Sequence, residues 1–175
     1  MAPHVAVAQS PPSLGEAFEV TLEMVRDRDC KVVLTLSGAM TVAKQGRIVC
    51  DMIDHGLVQT VIATGALIAH GLTESIGLTH YRYDPRKSDA VLFDQGYNRI
   101  YDTLVDEDKF RETDAVIGDI AGELEPRGYS SREFMEILGK AIDDEDSILY
   151  NAAKYGVPVF VPALNDSSIG IGLTG

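Results

Sequence analysis

Tryptophan is absent from this chain and cysteine nearly so, with two among 175 residues. Cys30 and Cys50 form neither a CxxC pair nor a spacing with paired histidines, which excludes a local zinc motif and a disulfide framework. Two buried free thiols in a reducing, cytoplasmic compartment are expected instead. No apolar run reaches the roughly 18 residues that a membrane span requires, and Met1-Ala-Pro-His lacks the basic opening of a secretory signal. No membrane partner is therefore expected. Positive charge is scarce as well: 15 Lys and Arg stand against 27 Asp and Glu, for a formal net charge of −12. That balance argues against a nucleic-acid partner and suits solubility first, with affinity for cationic amines only where carboxylates gather locally. The Gly-Lys-Ser/Thr of a P-loop, the G-x-S-x-G elbow and the H-E-x-x-H pair are all missing, so the common NTPase, hydrolase and metalloprotease signatures are lacking. No metal site is expected.

What the chain does have is one pattern used twice. Lys31–Leu36 leads into Ser37-Gly38-Ala39-Met40-Thr41, and Thr60–Ala63 leads into Thr64-Gly65-Ala66. Each is a β-branched apolar run followed by a small turn bearing a hydroxyl. At the carboxyl end of a parallel strand, such a turn exposes backbone N–H groups to a nucleotide phosphate or ribose. The same residue types also serve as helix caps and close-packing spacers, so the turns alone do not separate a cofactor site from a structural junction.

The rest of the pattern alternates helix and strand, as a single α/β domain requires. Ser13–Glu16 is a capping box, and Leu14, Phe18, Leu22 and Val25 predict a helix to about Arg26 that buries one face. Val42, Ile48, Val49, Met52 and Ile53 predict one crossover helix ending at Gly56, followed by a strand over Val58–Ala63. Gln95-Gly96 marks a turn within an inserted segment. Helices are expected over Asp106–Leu124, from the Ser130–Glu133 capping box through Ala141, and over Asp146–Tyr155. Val157–Val161 is a strand whose Pro158 suits a strand start or an edge. A third turn, Pro162–Ser168, follows it. A doubly wound sheet would continue there with a helix, yet only Ile169–Gly175 remains, so the fold is expected to be completed by further polypeptide. Met1–Pro12 is expected to be a loose arm, with one domain over 13–175.

Four blocks in order carry a resemblance: Leu34–Met40, Ala63–Ala66 with His70, Asn98–Asp102, and Pro158–Asp166. Together they resemble deoxyhypusine synthase, from about Leu14 onward, in the bacterial and archaeal branch. The resemblance implies a Rossmann-like, mostly parallel fold that binds NAD and assembles as a tetramer with sites near subunit interfaces. It implies oxidation of spermidine by NAD and passage of the aminobutyl group through a lysine imine to an acceptor amine. That acceptor is a lysine of the hypusine-containing translation factor, or a diamine such as putrescine. Position by position, Ser37, Gly38, Ala39, Met40 and Thr41 match the first NAD turn, Thr64, Gly65 and Ala66 the second, and Asp166 and Ser167 the third. His70 falls where relatives place Glu or His near the cofactor ribose.

The departures limit that expectation. Ile171 stands where the family carries an Asp that meets the polyamine, and a buried aliphatic cannot pair an ammonium. Leu67 and Gly71 replace polar residues. The family's catalytic lysine lies in a Trp-containing motif beyond this chain, and none of Lys31, Lys44, Lys87, Lys109, Lys140 or Lys154 matches it. Three readings stay open: the NAD-binding half of an aminobutyltransferase, a non-catalytic NAD-binding or scaffolding paralogue, and a structural α/β interaction module.

Overall fold

The computed structural model describes residues 13–174, so the arm expected over Met1–Pro12 lies outside the described residues. The chain divides into two compact units, Met1–Val32 and Val33–Gly175. In the first, α1 (Leu14–Arg26) begins at the expected capping box, with the Ser13 hydroxyl accepting from the Glu16 N–H and the Glu16 carboxylate accepting from the Ser13 N–H at 2.6 Å. The helix buries none of its residues, contrary to the expected buried face, and Leu14 is 89% exposed. Capping makes it a helix, and no second described element of its unit covers its apolar stripe.

The second unit is built on a parallel sheet of β1 (Val33–Leu36), β2 (Thr60–Ala63) and β6 (Val159–Phe160), in the order β1-β2-β6. Val33 pairs Thr60, Leu36 pairs Ala63, and Val61 pairs Val159. β6 starts after Pro158, as the strand-start reading of that proline allows, and pairs β2 alone among the described residues. Between β1 and β2 the expected single crossover helix is two: α2 (Ala39–Val42) and α3 (Gly46–Asp54). The break falls at Lys44, whose φ of 62° is left-handed and ends the α2 turn. From β2 the chain enters α4 (Gly65–Ser75), then an inserted antiparallel sheet with α5 (Asp89–Asp94) beside it. β3 (Tyr81–Arg82), β4 (Tyr97–Ile100) and β5 (Thr103–Asp106) pair in the order β3-β5-β4, and the expected turn is made by Gly96 at φ 76°.

α6 (Glu107–Gly122) follows with Asp106 as its cap, then α7 (Ser131–Ala141) from the second capping box, and α8 (Ile148–Tyr155), which Gly156 closes in the left-handed conformation. α7 crosses α8 where Gly139 lies against the Leu149 carbonyl, an approach that any side chain would block. After β6 the chain does turn into a short helix, α9 (Ser168–Gly172), where the outgoing helix was expected to be missing. Cys50 is buried, whereas Cys30 is only half-buried, and both are free.

Strand side chains alternate between faces, and paired residues of neighbouring strands share one. Leu34, Leu36, Val61, Ala63 and Val159 therefore lie on one face, which is closed, with Val61 fully buried. Val33, Thr35, Thr60, Ile62 and Phe160 lie on the other. That face is open: Val33 is 49% exposed, Phe160 37%, and Thr35 is exposed.

Candidate functional site at the carboxyl end of the sheet

Parallel pairing brings all three small turns to one end of the sheet, because β1, β2 and β6 each point their carboxyl ends the same way. Glycine decides how close they come. A methyl group on Gly38 would sit 2.5 Å from the Ala66 side chain, and one on Gly65 would overlap Ser167. The first turn is thus packed on the second and the second on the third, and the Thr64 N–H ties the second to the end of β1 by donating to the Leu36 carbonyl at 3.3 Å. The glycines serve turn-on-turn contact first.

The residues singled out from sequence now separate into two groups. Ser37, Ala39, Thr64 and Asp166 are exposed, and Met40, Ala66 and Ser167 half-buried. Ser37, Met40 and Thr64, with Pro162 and Ala163, rim an open concavity of about 670 Å³ floored by Thr35, Leu36, Ile62 and Ala63. The Ser37 and Thr64 hydroxyls face that rim without a hydrogen bond among the described residues. Thr41 belongs to the other group. Its buried hydroxyl donates to the Leu67 carbonyl at 3.1 Å and joins α2 to α4. The Ser167 hydroxyl is likewise engaged, donating to the Leu164 carbonyl at 2.6 Å.

His70, on α4, does not line that concavity and sits instead in a part-buried polar chain. Its Nδ1 meets His80 Nε2 at 3.2 Å, His80 Nδ1 meets Glu74 Oε1 at 2.6 Å, and Lys44 pairs with the same carboxylate oxygen. The Phe110 ring lies 5.3 Å from the His70 ring. Burial, then the neighbouring His80, pushes the His70 imidazole down to about 4. Burial alone would raise Glu74, but hydrogen bonds from His80 and Lys44 hold it below the usual carboxylate range. Sequence reasoning named His70 and missed Glu74 and His80. The signal was partly there, since Glu74 stands four residues on from His70 along one helix face, but His80 arrives only through the loop that Gly77 turns at φ 86°.

A second cavity, of about 370 Å³, has Thr41 in its lining. Leu67 and Gly71, the two departures from the polar family pattern, line it together with Glu74, Asp143, Asp144 and Asp146 and with Lys44 and Arg47, which pair with Glu74 and Asp146. Carboxylates gather there rather than at the turns, and Asp143 and Asp144 make no ion pair among the described residues. Ile171 proves 68% exposed rather than buried, because α9 turns Ile169 inward and leaves Ile171 on its outer face. Among the described residues no group of three or more His, Cys, Asp or Glu could hold a metal ion, and no helix is long and apolar enough to cross a membrane.

An open parallel α/β sheet with its turns gathered at the carboxyl ends defines a Rossmann-like fold. The deoxyhypusine synthase family profile matches residues 6–174, and the chain belongs to that family. It is 42% identical over 165 residues to the "Probable deoxyhypusine synthase 2" of Methanosarcina acetivorans, an alignment covering 92% of this chain and 48% of that protein. It is 37% identical over 166 residues to the deoxyhypusine synthase-like protein of Chlorobaculum parvum, with 92% and 47% covered. Among solved structures it resembles a protein assigned as a deoxyhypusine synthase from Entamoeba histolytica, with a TM-score of 0.62 at 15% identity over 95% of this chain and 52% of that one. The chain thus spans about half the length of the curated relatives it matches.

Proposed function

We propose that this chain supplies most of an NAD site for transfer of the aminobutyl group of spermidine to an acceptor amine, with the catalytic lysine supplied by polypeptide matching the other half of the relatives. The acceptor is a protein lysine, as in deoxyhypusine synthesis, or a diamine such as putrescine. The observation that carries the reading is the convergence of three turns on one concavity, with two unpaired hydroxyls at its rim. The donor set fits a nucleotide: exposed turn backbone, small side chains and neutral hydroxyls, with no carboxylate on the rim to repel a phosphate. NAD, when bound, supplies a two-electron hydride acceptor and later donor. Ser37 and Thr64 orient the nucleotide, Met40 and Ile62 give it an apolar wall, and Gly38 and Gly65 hold the turns at the spacing its phosphates need. Asp143 and Asp144, which line the cavity that Thr41 borders and make no ion pair among the described residues, support an amine substrate. In this reading the active assembly is an oligomer, a tetramer by the family resemblance, in the cytoplasm.

One observation favours a second reading. Ile171 replaces the polyamine-binding Asp of the family pattern, which suits a paralogue that binds NAD or scaffolds an active subunit without turnover. The test is common to both. Combined with a lysine-bearing polypeptide matching the relatives' other half, the chain should cleave spermidine in the presence of NAD. NAD binding without cleavage selects the scaffold, and neither binding nor cleavage defeats both.

A further inference from the structure

Two buried polar atoms on neighbouring helices complete no hydrogen bond among the described residues, and each is the complement of the other. They are Asp114 Oδ1 on α6 and Ser168 Oγ at the start of α9. The ion pairs within α6 join Lys109 to Glu112 and Arg111 to Glu107, and they leave Asp114 out. Burial raises the Asp114 carboxyl above its ordinary value, and the Ser168 hydroxyl draws it back, so the two groups already act on each other. A carboxylate only accepts and a hydroxyl donates. One bond from Ser168 to Asp114 therefore satisfies both atoms, each of which is costly to leave unpaired.

What that bond holds in place is the third turn, because α9 touches both α6 and the turn. Gly172 rests against Asp114, where an added methyl would meet the Asp114 Cβ at 3.4 Å, and a methyl on Gly170 would overlap the Asn165 backbone at 2.3 Å. Ile169, between those two glycines, is fully buried. The turn's Pro162 and Ala163 rim the concavity, and the Asp166 N–H closes the turn by donating to the Ala163 carbonyl at 3.0 Å. We infer that Asp114 is a positioning residue for the concavity: by accepting from the Ser168 hydroxyl it pins α9 to α6, and α9 in turn fixes the third turn at the carboxyl end of the sheet. The consequence for a cofactor rests on the NAD reading above, whereas the bond and its hold on the turn do not.

The test is amide hydrogen exchange followed by NAD titration, on the full chain and on Asp114→Leu, Asp114→Asn and Ser168→Ala. Asp114→Leu fills the space and removes the acceptor, so the Asp166 amide should exchange about tenfold faster, the equivalent of one hydrogen bond. The Tyr83 amide, bonded to the Asp102 carbonyl in the inserted sheet, should keep its rate. Asp114→Asn offers a carboxamide oxygen to the same hydroxyl and should hold the Asp166 amide at the wild-type rate, a rescue that separates the bond from mere packing. Ser168→Ala breaks the bond from the other side and should match Asp114→Leu, with the double variant no worse than either. Should Asp114→Leu fail to fold, Ser168→Ala still decides. Unchanged exchange in Ser168→Ala, an equal rise at Asp166 and Tyr83, or Asp114→Asn exchanging as fast as Asp114→Leu overturns the inference. Where the wild type binds NAD, affinity should fall several-fold in Ser168→Ala and hold in Asp114→Asn, and an unaltered affinity in Ser168→Ala overturns the positioning role. A local rise at Asp166 in a chain that binds no NAD supports the inferred bond and overturns the functional reading instead.

Discussion

The two faces of the β1-β2-β6 sheet carry similar side chains and meet opposite fates. Val61 and Val159 are sealed beneath helices of the same unit, while Val33 and Phe160, one strand position away from them in character, stand open. The closed face holds up the fold without help. The open face continues into the floor of the concavity at Ser37 and Thr64, so the apolar surface left uncovered and the surface proposed to bind NAD are neighbours. An open apolar face beside a cofactor rim is what a half-length match to larger relatives leads one to expect.

Substitutions on the two faces should break that symmetry of composition. Val61→Ala, on the closed face, should cost about 2–3 kcal/mol in denaturant unfolding, from lost transfer energy plus the cavity left behind. Gly65→Ala should come next, at about 1–3 kcal/mol, because the new methyl overlaps Ser167 and forces the second and third turns apart. If Gly65→Ala were neutral, the turns would not be packed as described.

A third prediction concerns pH. The folded His70 protonates only near 4, whereas the unfolded ring takes its proton near 6.5. The unfolded state binds more protons between those values, so stability should hold above about 6.5 and fall as the pH drops toward 4. His70→Gln should flatten that limb in urea midpoints measured across the range. Cys50 gives the mirror image on the alkaline side. Burial raises its thiol from 9.0 to about 11, so stability should decline as pH rises between those values, and Cys50→Ala should remove the decline. The smallest effect belongs to the open face: Phe160→Ser should change the stability of this chain by no more than about 0.5 kcal/mol. A large loss there would mean that the face is covered.

Much of this was legible in the sequence, for reasons that particular residues make plain. The capping boxes at Ser13 and Ser130 are local chemistry and appear where the spacing placed them. The strands are shorter than the apolar runs, since ladder pairing stops where the partner strand ends, and β6 keeps only Val159 and Phe160 of the run from Val157 to Val161. The break at Lys44 was illegible because nothing in the apolar spacing from Val42 to Ile53 signals a left-handed lysine. The chemistry divides in the same way. Each of the three turns is contiguous in sequence and could be named, while His80, which meets both His70 and Glu74, arrives through the loop after α4 and could not. The exposure of α1's stripe and of Ile171 was missed for a related reason: periodicity reports which residues share a face, never whether anything covers it.

The most direct measurement of the central claim is a calorimetric titration of NAD into this chain, alone and with a polypeptide matching the other half of the relatives, in parallel with Gly38→Leu. The account predicts saturable binding by the wild type, strongest with the second polypeptide present, and none by Gly38→Leu, whose side chain drives into Ala66 and parts the first two turns. No heat from the wild type under either condition would contradict it.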